Sequence, residues 1–307
     1  MKNWKKAIAV CASAAALVSM AACGSSNAGS KSDDGGKKTI GFVAVGPEGG
    51  FRTANENDLK KAFKDAGFNL VYSPTQNNDQ QKQIQAFNKF VNDEVDAIVL
   101  SATNDSGWDD CLENAAEAEI PVFTVDRNIN IKSAEAKKAV VSHIGPSNVW
   151  AGEQAAEFVN KSFSTGANGF ILEGPAGLSV VTDRGQGWKN KAADNIKVLE
   201  SQSANWSTDE AKTVTAGLLD KYKSDNPQFI FAQNDEMALG ALRATQAAGK
   251  QVLIVGFDGT DDGKAAVKSG KLGATVAQQP ALIGAIGVET ADKVLKGEAV
   301  EKYIPVP

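Results

Sequence analysis

Eight short apolar runs in two sets of four, separated by stretches of helical period, constrain this chain more than any other feature. In the first set, IGFVAV begins at Ile40, LVYSP at Leu70, DAIVLS at Asp96 and PVFTVD at Pro121. In the second, GFILEG begins at Gly169, VLESQS at Val198, FIFAQN at Phe229 and VLIVGFD at Val252. Between runs the spacing turns helical. In QKQIQAFNKFVND, Ile84, Phe87, Phe90 and Val91 fall on one face. The segment DEMALGALRATQAAGK is Ala-rich and closes at Gly249, and PALIGAIGVETADKVLKG opens on Pro280 and closes at Gly297. Continuous apolar runs read as strands buried on both faces, and their alternation with helices implies βαβ units and parallel sheets. Two sets imply two doubly wound α/β lobes. A chain of 307 residues with 42% hydrophobic content can bury both.

The N-terminus has a different grammar. Lys2, Lys5 and Lys6 form a basic start, Ala7 to Met20 is a short apolar stretch, and small residues follow, which is the pattern of an export leader. It is too short and wrongly flanked for a stable membrane-spanning helix. MAACGSS resembles the lipobox of bacterial lipoproteins, with Cys23 as the lipidated residue and Met20 where that motif prefers Leu. Residues 1–22 are thus expected to leave as a signal peptide. Residues 23–38, Gly/Ser-rich and without apolar period, are expected to form a tether. Loss of the leader removes Cys11, leaves Cys111 as the mature thiol and excludes an internal disulfide. Cys111 reads as a small buried hydrophobe on a helix. The net charge moves from −5 to −8 as three lysines depart, an acidic balance that argues against nucleic acid as partner.

Parallel α/β sheets bind ligands outside the carboxyl ends of their strands, and the run ends here are polar. The first run leads into GPEGGFR, the third into SATNDSGW, the fourth into Asp126-Arg127; the second set ends in EGPAGLSVVTDRG, SANWS, QNDE and FDGTDD. If the two loop-rich ends face each other, Asp126, Arg127, Arg184, Asn234 and Asp258 share a cleft with Phe51, Trp108 and Trp206 nearby. Carboxylates accept from hydroxyls, guanidinium and carboxamide groups donate to them, and flat rings cover the C–H faces of a sugar. Charge-assisted bonds contribute roughly 1.5–3 kcal/mol each, so a few suffice for micromolar binding at about 8 kcal/mol.

Each residue also has a plain structural reading. Asp126 and Arg127 are adjacent, so on a strand they point to opposite faces and do not pair with each other; Asp126 could instead be a turn former. Arg184 could be a solvated residue of a first helical turn, and Asn234 a helix N-cap leading into Met237. Phe51 and Trp108 stand in polar, Gly-containing loops and read as exposed. Trp150 and Trp188 have apolar neighbours and read as core. The single histidine, His143, lies among strand residues and reads as a structural imidazole. With one histidine and one mature thiol, a zinc cluster or a Ser/His/Asp triad is hard to assemble, and no dinucleotide or P-loop motif occurs. Carboxylates alone leave a glycosidase open, yet no second acid accompanies Asp126 or Asp258 as a matched pair.

These residues resemble the pentose- and hexose-binding proteins of bacterial ABC importers, the ribose-binding type of periplasmic binding protein. The resemblance runs from about Thr39 and is densest in FAQNDEMALGALRATQAAGK, VGFDGTDDG and GVETADKVLKGE. GPEGGFRTANEN, SGWDD and VFTVDRNIN are closer to the galactofuranose- and fructose-binding members. The resemblance implies two lobes that close on one monosaccharide, no catalysis and no cofactor. It further implies a monomer that delivers sugar to the transmembrane subunits of an ABC permease and touches the membrane only through its lipid. By position it makes Asp126, Arg127 and Arg184 hydroxyl contacts, and Asn234, Asp258 and Gln278 the second lobe's polar contacts. Phe51 and Trp206 become stacking rings, and Glu48 and Arg52 a charged first loop in place of the ribose binders' apolar one. The chain is expected to cross between lobes near Gly145, Gln279 and Lys302. The first lobe would then hold 39–145 and 279–301, and the second 146–278 and 302–307. The family usually continues with a further strand beyond EKYIPVP. LacI-type repressors share the fold but carry a helix-turn-helix before the first lobe, where this chain has a leader and tether. A surface-anchored glycan-processing enzyme and a sensor for a membrane kinase are the alternative readings.

Overall fold

The computed structural model describes residues 36–76 and 78–307. The expected leader, Cys23 and nearly all of the tether lie outside the described residues. The first lobe is built from β1 (Thr39–Ala44), α1 (Gly50–Asp65), β2 (Asn69–Pro74), α2 (Gln80–Asn92), β3 (Ala97–Leu100), α3 (Asp109–Glu117), β4 (Val122–Val125), α4 (Ala136–Ala139) and β5 (Val140–Pro146). The second follows with α5 (Asn148–Ser162), β6 (Ala167–Glu173), α6 (Ser179–Lys191), β7 (Ile196–Ser203), α7 (Thr208–Lys221), β8 (Phe229–Ala232), α8 (Asp235–Ala247), β9 (Leu253–Asp258), α9 (Asp261–Lys268) and β10 (Ala274–Ala277). The chain then continues through α10 (Pro280–Leu295) and β11 (Tyr303–Val306).

All strand pairings are parallel. The sheet orders are β11-β5-β4-β3-β1-β2 and β10-β9-β8-β6-β7. Alternation along each strand feeds two helical layers. In the first lobe Val43, Ile98 and Leu100 face Phe87 and Phe90 of α2 and Leu112 of α3. Their strand neighbours Phe42 and Val99 turn the other way, to Leu59 and Phe63 of α1 and Ile283 of α10. The second lobe repeats this. Phe170, Ile230 and Ile254 meet α7 and α8, whereas Ile171, Phe229, Phe231 and Val255 meet α5 and α6.

Three outcomes differ from, or sharpen, the sequence expectations. β11 was expected in the second lobe, but it pairs with β5 in the register Tyr303 to His143. The cause is local: α10 has already returned the chain to the first core, where the free edge of β5 is at hand and Val306 is buried. No crossing between lobes therefore occurs at Lys302. Trp150, expected in the core, is 49% exposed on α5, while Trp188 is buried and stacks on Phe229 and Phe231 at 5.4 Å each. Among the described residues no helix is long and apolar enough to cross a membrane.

In each sheet the strand order reverses beside the first strand of its set, between β1 and β3 and between β6 and β8. Such switch points open a crevice at the carboxyl ends of the strands. Helix α6 borders the second crevice, and two glycines press it against α5. A Cβ on Gly152 would lie 2.0 Å from the Arg184 carbonyl oxygen, and one on Gly187 1.9 Å from that of Val149. Gly152→Ala is expected to destabilise the protein by about 1–3 kcal/mol through this overpacking. Urea unfolding measures it, and an unchanged midpoint would show that the helices can part freely.

Candidate functional site

Both switch points open onto one cavity. It takes Glu48, Phe51, Arg52, Asp126 and Arg127 from the first lobe, and Arg184, Trp206, Asn234, Asp258 and Gln278 from the second. Its volume, about 40 Å³ for the centres of water-sized spheres, is several times the roughly 10–15 Å³ that one water needs. Of the residues singled out in the sequence, Trp108 alone among those described stays outside. Its indole is fully buried against Phe87, and its N–H donates to the Asn104 carbonyl at 2.7 Å. The polar loop that suggested exposure instead folds its one large apolar ring inward, since that ring is the cheapest group to desolvate there.

Asp126 and Asp258 end β4 and β9 in the same way. The Asp126 amide donates to the Ile144 carbonyl at 2.8 Å, and the Asp258 carbonyl accepts from the Gln278 amide at 3.0 Å. The backbone then turns left-handed, with φ 65° at Asp126 and 114° at Asp258. That geometry is costly for a residue with a Cβ, on the order of 1–3 kcal/mol, and it concentrates at functional positions. Trp206, also left-handed at φ 61°, presents its ring from the loop after β7.

In the first lobe the charges are paired. The Arg52 guanidinium donates to Asp126 Oδ2 at 2.5 Å and to Ser101 Oγ at 3.0 Å. Glu48 lies 3.7 Å from Arg52 Nε and accepts from Arg127. Asp126 and Arg127 thus pair with the loop after β1 and with α1 rather than with each other. Burial pushes the Asp126 carboxyl up, but the Arg52, Arg127 and Arg184 cations outweigh it and hold the carboxyl below its ordinary range. Arg52, although buried, is raised further by Asp126 and Glu48.

The second lobe is less compensated. Arg184 lies over the Phe257 ring at 3.7 Å, and its N–H groups donate to Asn148 Oδ1 at 3.0 Å and the Gln233 carbonyl at 2.6 Å. Burial pulls it down to about 10, against the raising effect of Asp258 and Asp126. Desolvation pushes Asp258 well above the usual carboxylate range despite Arg184, and Gln278 Nε2 donates to it at 2.8 Å. Asn234 fills both of its candidate places, since Oδ1 caps α8 through the Met237 amide while the side chain lines the cavity. Glu236, missed in the sequence, lines it too and accepts from Asn234 Nδ2 at 2.9 Å. Its signal was the unbroken polar run QNDE.

Four buried polar atoms on cavity residues have no hydrogen-bond partner: Glu48 Oε1 and Gln278 Oε1, which accept, and Arg52 Nε and Trp206 Nε1, which donate. Outside the cavity the remaining titratable candidates are inert. His143 bonds Thr124 Oγ1 at 2.8 Å, stacks on Tyr303, and is pushed down to about 4 by burial. The buried Cys111 thiol is pushed up to about 12. Among the described residues no cluster of His, Cys, Asp and Glu could hold a metal.

The chain is similar to known proteins over most of its length. Residues 40–299 match the periplasmic binding protein domain. The chain is 73% identical to the fructose import binding protein of Bifidobacterium longum, over 100% of this chain and 94% of that one. It is 44% identical to the ribose import binding protein of Haemophilus influenzae, over 83% and 85%. A crystal structure from Mycobacterium smegmatis in complex with β-D-fucofuranose superposes with a TM-score of 0.82 at 34% identity, covering 88% of this chain and 90% of that one.

Removing Arg52 would strand the Asp126 carboxylate. Arg52→Met is expected to cost about 3–5 kcal/mol. It should also change the acid limb of stability. The folded Asp126 carboxyl titrates below the unfolded one, so its contribution is whole above about pH 4 and is lost as pH falls through the depressed folded value. Without Arg52 that loss begins at higher pH. Denaturant unfolding between pH 2 and 7 checks both, and superimposable acid limbs would remove the pair from the account.

Proposed function

We propose, for a chain that belongs to the periplasmic binding protein family, that it is the sugar-binding component of an ABC importer and closes its two lobes on one monosaccharide. The cargo is fructose or another hexose or pentose, in pyranose or furanose form. The carrying observation is the set of four unpartnered buried atoms around the cavity, two donors and two acceptors. A sugar hydroxyl both donates and accepts, so a polyol can meet all four at once. Glu48, Arg52, Asp126 and Arg127 would form the first lobe's contacts, Arg184, Asn234, Asp258 and Gln278 the second lobe's. Phe51 and Trp206 would cover the ring faces. The similarity to binding proteins for fructose and ribose import supports the same reading. These relatives are binding proteins.

The sugar would act by differential binding. Closure brings second-lobe donors onto a ligand already held by the first, and the closed form docks on the permease. Lipidation at Cys23 would hold the monomer at the outer face of the cell membrane.

Calorimetry against fructose, galactose, arabinose, ribose, xylose and glucose is expected to show micromolar or tighter binding of at least one, with the sugar recovered unchanged. Heat of turnover would point to an enzyme, and silence across the panel would sink the monosaccharide reading. Trp206→Phe keeps a ring but deletes the indole donor. It is expected to weaken binding about three- to tenfold, and an affinity within twofold of the parent would take that N–H out of the site.

A further inference from the structure

Helices α2, α5, α7, α8 and α9 each start on an Asp, Ser, Asn or Thr whose side chain accepts the third helical amide. Helices α1 and α6 have no such cap, since their flanking residues are Gly49 and Leu178. Their first amides go instead to carboxylates of the opposite lobe. Gly50 N–H in the first lobe donates to Glu236 Oε1 of the second at 2.6 Å. Ser179 N–H in the second donates to Asp105 Oδ2 of the first. The room for one of these contacts is built in: Gly49 has φ 129°, and a Cβ there would lie 2.8 Å from Glu236 Oε1. A helix start leaves its first amides orphaned and favours a nearby anion, so each carboxylate completes the other lobe's helix.

The two helices completed in this way carry Arg52 and Arg184 in their early turns. Asp105 does not line the cavity, whereas Glu236 does. We infer that Asp105 is a positioning residue that sets sugar affinity from outside the cavity, as half of a reciprocal pair of trans-lobe helix caps with Glu236. Both bonds span the cleft, so they exist only while the lobes are closed. They seat the arginine-bearing helices against each other and must break before sugar leaves. This inference rests on the receptor reading, and on release in particular.

The test compares sugar-binding kinetics of the full chain and its Asp105 variants, using fructose as probe. Asp105→Ala is expected to raise the dissociation rate about tenfold while leaving the association rate within twofold and the sugar-free thermal midpoint unchanged. Asp105→Asn, which keeps an uncharged acceptor, should fall between. Equal dissociation rates in parent and Asp105→Ala overturn the proposal. A faster rate accompanied by a lower sugar-free midpoint overturns it too, because Asp105 would then be supporting the fold. If the parent binds no fructose, the same rates are measured with whichever of galactose, arabinose, ribose, xylose and glucose it binds, and equal dissociation rates there overturn the proposal. Binding of none of them by the parent removes the receptor reading itself, and this inference with it.

Discussion

The buried pair of Arg52 and Asp126 is the interaction on which the first half of the site depends. Neither charge is tolerable alone away from water, where desolvation costs several kcal/mol per ion. Their union requires three separate features of the fold. Helix α1 must begin immediately after the loop from β1, β4 must lie two places from β1 in the sheet, and Asp126 must turn left-handed at the strand end. The Ser101 hydroxyl at the end of β3, the strand between them, then accepts a further bond from the guanidinium at 3.0 Å. Glu48 and Arg127 extend the same network, so this lobe's charged groups are oriented by one another before any ligand arrives.

The second lobe is built on the opposite plan. Arg184 has no carboxylate within ion-pair distance among the described residues and is seated by neutral partners and an aromatic face. Asp258 is held by a carboxamide, and burial keeps its proton affinity high. Charges left this uncompensated gain most from a new partner, whereas the first lobe's charges are already ion-paired and keep only Glu48 Oε1 and Arg52 Nε unbonded. The asymmetry suits a clamp in which one lobe receives and the other closes. The close α5–α6 contact at Gly152 and Gly187 matters for the same reason, because it fixes the Arg184 backbone where no ion pair does.

Much of this was legible in the sequence because the informative signals were local. Continuous apolar runs marked β4, β8 and β9, and a rule of parallel sheets sent attention to the residues at their ends, where Asp126, Asn234 and Asp258 stand. Pairing was less legible, since partners distant in sequence leave no local trace. Asp126 meets Arg52 across 74 positions. Trp108 misled because a polar loop says little about where its one large ring turns. The lobe of β11 depended on the direction from which α10 returns, which no spacing encodes. Glu236 stood beside a residue already singled out, but a carboxylate in a first helical turn is too common to stand apart.

The balance of charge also restricts what can enter. Three guanidinium groups and four carboxylates line the cavity, and one of those carboxylates, Asp258, is pushed toward its neutral form. Opposite charges therefore nearly cancel before a ligand is added. A phosphorylated sugar that took Arg52 or Arg127 would strand a buried carboxylate at a cost of several kcal/mol, whereas Arg184, without an ion-pair partner, is the cavity cation open to it. A neutral polyol would disturb no pair, and its hydroxyls could meet Glu48 Oε1, Gln278 Oε1, Arg52 Nε and Trp206 Nε1, the atoms that the protein's own bonding leaves unused.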